Sequence, residues 1–323
     1  MKQYTSLNDI KNLNTLVKKA IQLKNNPFQY SHLGKNKTLI MLFFNASLRT
    51  RLSTEKAAKN LGMEVSILNI NATWNIEFEE GTIMNLNTSE HIKEAAQVIS
   101  QYGDILAIRA FPSLTDKEKD TAEWVLQSFQ NYASIPIVNM ESATDHPLQA
   151  LADAITLEEH KTVQKPKVVL SWAPHPKALP HSVPNAFVHL MHRMSDTIDF
   201  VITHPKGYEL DTKVTKNASI VYNQEEALQD ADFVYTKNWS SFSDYGKILP
   251  MDTNDTNSTN HTNWTITQEK LGNAKFMHCL PIRRNVVAED AVLDGNNSLV
   301  IAQANNRTYA AQVVLQEILM GLV

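Results

Sequence analysis

The sequence predicts an α/β protein built from two doubly wound, parallel-sheet domains. Short apolar runs alternate with segments of helical period, the alternation restarts beyond a boundary near residues 140 to 155, and 323 residues exceed what one compact core usually holds. Ile10 to Leu23 spaces its apolar side chains as an amphipathic first helix. Thr38 to Phe43 reads as a strand, Thr54 to Leu61 as a helix, Glu64 to Asn69 as a strand, Ile92 to Tyr102 as a helix and Ile105 to Ala110 as a strand. A helix at Thr121 to Asn131 and a short strand at Pro136 to Asn139 follow, and Asp145 to Asp153 opens another helix. Beyond it, strands are expected at Lys167 to Ser171, Thr197 to Val201, Ser219 to Val221, Phe233 to Tyr235 and Lys275 to His278. The final helix, Thr308 to Met320, is expected to pack back on the first domain. Trp172 to Asn185 carries Pro174, Pro176, Pro180 and Pro184 and reads as a loop, as does the Asn/Thr/Ser tract Thr253 to Asn263. In this architecture ligands bind outside the carboxyl ends of strands and between domains, so the active site is expected in the cleft between the two.

Composition narrows the partners. The chain is 43% apolar and 20% charged with a net charge of -4, and its basic residues are dispersed, which argues against nucleic acid. One cysteine, Cys279, excludes a disulfide within the chain and fits a reducing compartment. No apolar run approaches membrane-spanning length, and Met1 to Asn26 is polar and Lys-bearing without a signal-like apolar core, so a cytoplasmic protein is expected.

The chemistry starts at Phe44 to Arg51, where an apolar run stops and a helical one begins. A helix start presents backbone N–H groups and a positive dipole end to an anion. Ser47 and Thr50 add hydroxyls, and Arg49 and Arg51 add guanidinium forks, which suits phosphate. The glycines of a dinucleotide fingerprint or a Walker loop are absent, which opposes an oxidoreductase reading. Taken alone, the string also fits a solvated helix start with two surface arginines. Farther on, His146 and Gln149 are three apart at a helix start and share a face, offering two polar groups to one ligand.

Ser47-x-Arg49-Thr50-Arg51 resembles the carbamoyl-phosphate motif of the aspartate/ornithine transcarbamylase family, and His146-Pro147-x-Gln149-x-Leu151-Ala152-Asp153 resembles its second motif at every defining position. His278-Cys279-Leu280-Pro281 is similar to the ornithine-type segment, and Asn305-Asn306-Arg307 stands where the family places another phosphate-contacting arginine. The resemblance covers nearly the whole chain. It implies a carbamoyl-phosphate domain over 1–145, with the C-terminal helix 306–323 packed on it, and an amino-acid domain over 146–305. It also implies attack by a neutral amine on carbamoyl phosphate, with no metal and no cofactor. Ser47, Leu48, Arg49, Thr50 and Arg307 then surround the phosphate. Arg109, His146 and Thr50 face the carbonyl oxygen, while Gln149, Cys279 and the Leu280 carbonyl attend the carbamoyl group. Arg109, His146, Gln149 and Cys279 are thereby the catalytic candidates. Retention of Arg49, Arg109, His146 and Gln149 argues against a non-catalytic subunit.

The amine is read from departures. Ornithine enzymes carry an Asp that pairs with the free α-ammonium, and Lys237 stands there instead. A cation repels that ammonium, so the reading favours an N-acylated ornithine over ordinary ornithine, which is the alternative. Leu48 and the run His278 to Asn285 also look like N-acylornithine transcarbamylases. Trp74 lies where that group places a tryptophan reaching a neighbouring subunit's carbamoyl phosphate, which implies a homotrimer with shared sites. Glu141, His175, Lys177, Lys237 and Arg283 are the candidates for the acylated amino acid, with Glu141 as acceptor and the cations taking carboxylates. The overall pattern resembles N-succinylornithine enzymes, but Glu90 stands where those carry proline and N-acetylornithine enzymes carry glutamate. A carboxylate about 4 Å from Glu90 is repelled by about 1 to 4 kcal/mol, depending on screening, so acetyl is expected over succinyl. The competing role for Glu90 is a helix N-cap neighbour favoured by the dipole.

Overall fold

The computed structural model describes residues 1–70, 74–249 and 262–322. The chain divides into two compact units, Met1–Ile155 with Asn305–Val323, and Thr156–Ala304. Most of the Asn/Thr/Ser tract lies outside the described residues.

The first unit is a four-stranded parallel sheet in the order β2-β1-β5-β6, where β1 is Thr38–Phe43, β2 Glu64–Asn69, β5 Ile105–Arg109 and β6 Ile137–Glu141. The central strands are buried on both faces, whereas edge strand β2 is largely exposed. Ile40, Leu42, Leu106, Ile108 and Ile137 pack with Ile92, Ala96, Leu126 and Phe129 of the covering helices. The chain winds from β1 outward to β2, then returns to the other side of β1 for β5 and β6. The switch point therefore lies between β1 and β5, where Phe43 pairs with Arg109. β3 (Ile76–Glu77) and β4 (Glu90–His91) form a separate parallel pair, which two-residue strands conceal from periodicity.

The helix after β1 spans Arg49–Asn60, starting earlier than its apolar pattern indicates. Leu48 supplies no side-chain cap, and Ser47 Oγ instead accepts from Thr50 N at 3.3 Å. The helix expected over Thr121 to Asn131 is broken in two. Lys117–Thr121 ends, Glu123 adopts a left-handed conformation at φ 55°, and Trp124–Tyr132 begins. The last helix, Val300–Leu319, meets the first unit through Gln312, whose Oε1 accepts from Asn60 Nδ2 at 2.8 Å, and through Glu317, bridged to Lys19 at 2.6 Å.

The second unit is a five-stranded parallel sheet, β11-β10-β7-β8-β9, with β7 Lys167–Trp172, β8 Asp199–Thr203, β9 Ser219–Val221, β10 Phe233–Lys237 and β11 Lys275–Met277. Its switch point lies between β7 and β10, where Trp172 pairs with Lys237. The proline-rich stretch is a loop only in part. Trp172 closes β7, and the helix Ser182–Arg193 begins inside the stretch, carrying Pro184 in its first turn, where no N–H is required.

Candidate active site

At the first switch point the helix start and three strand ends bring the donor candidates together. Arg307 is buried and donates from Nη2 to Thr50 Oγ1 at 2.7 Å and from Nη1 to Gln149 Oε1 at 3.1 Å. Gln149 Nε2 in turn donates to Asp153 Oδ1, one helical turn on, at 2.7 Å. Arg109, also buried, donates from Nη1 to the carbonyls of Asn45 and Ala46 at 3.0 and 2.9 Å and pairs with Glu141 at 3.1 Å. A bulge in the β5–β6 register puts Arg109 opposite Glu141. His146 Nε2 is 3.7 Å from the same Glu141 oxygen. Burial pushes the Arg109 guanidinium below its ordinary value, Glu141 pulls it back and Arg49 pushes it down again, so the two arginines lie close enough to repel. Arg109 stays charged, as any arginine does. Arg49 Nε is buried with no hydrogen-bond partner among the described residues. Two neighbouring guanidiniums at a helix start form an arrangement whose chemistry suits an anion.

Arg51 is not part of it. Two positions along the helix, it reaches Asn69 at 2.5 Å and lies over the Phe43 ring. Glu141, expected to accept from the amino acid, is buried in the first unit as the partner of Arg109. Trp74 is 47% exposed, which rules out a core role in the chain, and its Nε1 donates to Glu90 Oε2 at 2.9 Å. The β3–β4 pair brings these two together. His91 is the N-cap of the helix Ile92–Tyr102, its Nδ1 accepting from Lys93 N at 3.2 Å, and Glu90 stands next to that cap.

At the second switch point His175, Lys177, Lys237 and Arg283 gather. His175 differs from the other three in its surroundings. Burial lowers its pKa, and Arg283, Lys237 and Lys177 lower it further against the Lys177 carbonyl, so the charged form of the ring is disfavoured. Its Nδ1 lies 2.9 Å from that carbonyl and its Nε2 accepts from Arg283 Nε at 3.1 Å, so His175 orients Arg283. Among the described residues a cavity of about 390 Å³ adjoins them, lined by Trp172, Tyr208, Trp239 and Asn238. Leu280 has φ 57° and a cis bond to Pro281, and its N–H donates to His278 Nδ1 at 2.8 Å. Cys279 is buried beside it. No group of three potential metal ligands occurs among the described residues, and none of their helices is long and apolar enough to cross a membrane.

The family model described as aspartate/ornithine carbamoyltransferase, carbamoyl-P binding domain, matches residues 2–159, and its Asp/Orn binding counterpart matches 182–318. The chain belongs to the aspartate/ornithine carbamoyltransferase family. It is 45% identical to the N-succinylornithine carbamoyltransferase of Bacteroides thetaiotaomicron, covering 100% of both chains. It is 35% identical to the N-acetylornithine carbamoyltransferase of Xanthomonas axonopodis pv. citri, over 89% of each. A crystal structure of acetylornithine transcarbamylase complexed with acetylcitrulline superposes with a TM-score of 0.90 at 32% identity, over 98% of this chain and 99% of that one.

Two acids of this carbamoyltransferase escaped the sequence reading. Nothing local connects Glu123 to residues twenty positions away. Asp145 precedes His146 and is buried, accepting from His146 N at 2.8 Å, and burial, then Glu123, pushes its carboxyl up to about 8. The folded state thus keeps a proton that the unfolded chain releases near the ordinary aspartate value of about 3.9. Stability from this group is greatest below about pH 4 and falls as pH rises to about 8. Asp145→Asn keeps the acceptor and cannot ionise. Its urea midpoint is expected to match the parent's near pH 4 and to exceed it increasingly toward pH 8, by at most about 5 kcal/mol in free energy. An advantage that is the same at both pH values would contradict the buried neutral acid.

Proposed function

We propose that this enzyme transfers the carbamoyl group of carbamoyl phosphate to the side-chain amine of an N-acylated ornithine. The products are an N-acylcitrulline and phosphate, in arginine biosynthesis. The observation that carries the reading is the convergence of Arg49, Thr50, Arg109, His146, Gln149 and Arg307 at the first sheet's switch point. Negative charge grows on the carbonyl oxygen and on the departing phosphate during such a transfer, and fixed donors stabilise it without a covalent intermediate. In this reading Ser47, the Leu48–Thr50 backbone, Arg49, Thr50 and Arg307 hold the phosphate. Arg109, Thr50 and His146 address the carbonyl oxygen. Gln149, Cys279 and the Leu280 carbonyl are assigned to the carbamoyl NH₂. The attacking amine, with an ordinary pKa of about 10.4, must be neutral, so rates rise from pH 6 to 9.

The acceptor is assigned to Lys177, Lys237 and Arg283, with His175 fixing Arg283. Lys237 opposes a free α-ammonium and favours an amide there. Glu90 favours an uncharged acetyl tail over a succinyl carboxylate. The identity of 45% to a succinylornithine enzyme favours the second reading, N-succinylornithine. A homotrimer sharing Trp74 between subunits fits the exposed Leu48, Leu52 and Trp74 of the first unit. Phosphate release from carbamoyl phosphate, followed with ornithine, N-acetylornithine and N-succinylornithine in parallel, tests all of this. An acylated amine is expected to exceed ornithine by about 100-fold in kcat/KM, a difference of roughly 3 kcal/mol. Equal use of ornithine would overturn the acyl assignment, and no release with any amine would overturn the transfer itself.

A further inference from the structure

The segment from Glu141 to His146 has no regular structure beyond the strand end, yet it joins two side chains that meet beside Arg109. Glu123 fastens it. One oxygen, Oε1, accepts from Ser142 Oγ and Thr144 N, both at 2.8 Å, and from the Thr144 hydroxyl, and Oε2 accepts from Ala143 N at 3.1 Å. Within the turn, Ser142 N donates to the Asp145 carbonyl at 2.8 Å, and Asn139 Nδ2 donates to Ser142 Oγ at 2.8 Å. Charge-assisted bonds of this kind are the stronger class.

Two concessions in the chain point the carboxylate at this turn. Glu123 sits at φ 55°, ψ 39°, a left-handed conformation that disfavours a residue with a Cβ. It is also the N-cap residue of Trp124–Tyr132, yet it makes no side-chain cap bond to that helix. The helical run was interrupted at this residue, and the acid that interrupts it binds the turn instead.

We infer that Glu123 is a positioning residue for carbamoyl transfer, fixing the 142–145 turn so that Glu141 and His146 keep their places beside Arg109. This rests on the transfer reading given above. The titratable and charged groups around the turn are Glu123, Asp145, Glu141, His146 and Arg109. The phosphate-holding candidates Ser47, Thr50 and Arg307 are tied to one another and to Gln149, so the inference predicts lost turnover with donor binding retained.

The test compares the full-length parent with Glu123→Ala and Glu123→Gln, with carbamoyl phosphate and the amine the parent uses best. Misplacement of about 1 Å costs up to about 100-fold, so Glu123→Ala is expected to lower kcat at least about 10-fold, with KM for carbamoyl phosphate held within about 3-fold. Glu123→Gln keeps an oxygen acceptor and recovers most of the rate. Parent-like kcat in Glu123→Ala overturns the inference, as does a loss accounted for by the unfolded fraction in a thermal melt. A substrate-independent arm follows the His146 ring resonances by NMR at one pH. Glu123→Ala is expected to displace them, and superimposable resonances overturn the inference. An inactive parent would sink the transfer reading instead, and the NMR arm would still judge the positioning.

Discussion

Arg109→Met is expected to lower kcat by about 100- to 1,000-fold and to destabilise the protein by about 3 to 5 kcal/mol. The two losses have different origins. In the parent, the guanidinium donates to the Asn45 and Ala46 carbonyls, which holds the chain entering the Arg49–Asn60 helix, and it pairs with the Glu141 carboxylate. Removing it leaves Glu141 buried at 7% exposure with its charge, and His146 at 3.7 Å is a distant substitute. A buried ion pair adds little net stability, but breaking one is expensive. Hence Arg109→Met/Glu141→Leu is expected to regain most of the stability in urea melts and none of the rate. If the single variant melts like the parent, the ion pair is not what holds these strand ends. If the double variant regains activity, Arg109 has no part in stabilising the carbonyl oxygen.

Much of this was legible in the chain, and where it was not the reasons are physical. The apolar run at Thr38–Phe43 and the Ser47–Arg51 string locate the first switch point because a buried parallel strand and a helix start leave local marks. His146, Gln149 and Asp153 share a helix face by spacing alone. Arg49 and Arg51 look equivalent in a list, but two positions along a helix turn them to different sides, and only Arg49 senses Arg109. The lowered His175 pKa depends on burial and on Arg283 and Lys237 from distant segments, and the Glu123 bonds cross twenty positions, so neither leaves a periodic signal. The proline run misled because a proline in a helix's first turn is tolerated, while the same residue in the interior is not.

Lys237→Asp is the sharpest test of the acceptor. The residue ends β10 opposite Trp172 and its backbone carbonyl accepts from Ala173 N at 3.1 Å, so the side chain can change without disturbing the sheet. A charge-assisted bond to a substrate carboxylate contributes about 1.5 to 3 kcal/mol, so kcat/KM for the acylated amine is expected to fall about 10- to 150-fold. For ornithine, exchanging a repelling cation for an attracting anion gains about 1 kcal/mol, about fivefold, in a solvated site. Preference for the acylated amine therefore falls by roughly two to three orders of magnitude, the product of the two effects when they act independently. Lys237→Met removes attraction without adding any and is expected to land between. A second readout needs no substrate: Lys237 is among the charges that lower the His175 pKa, so Lys237→Asp moves the His175 titration upward toward its ordinary value. A raised His175 midpoint with unchanged preference would mean that Lys237 sits beside Arg283 without touching the amino acid. Neither change would remove Lys237 from this corner of the second sheet altogether.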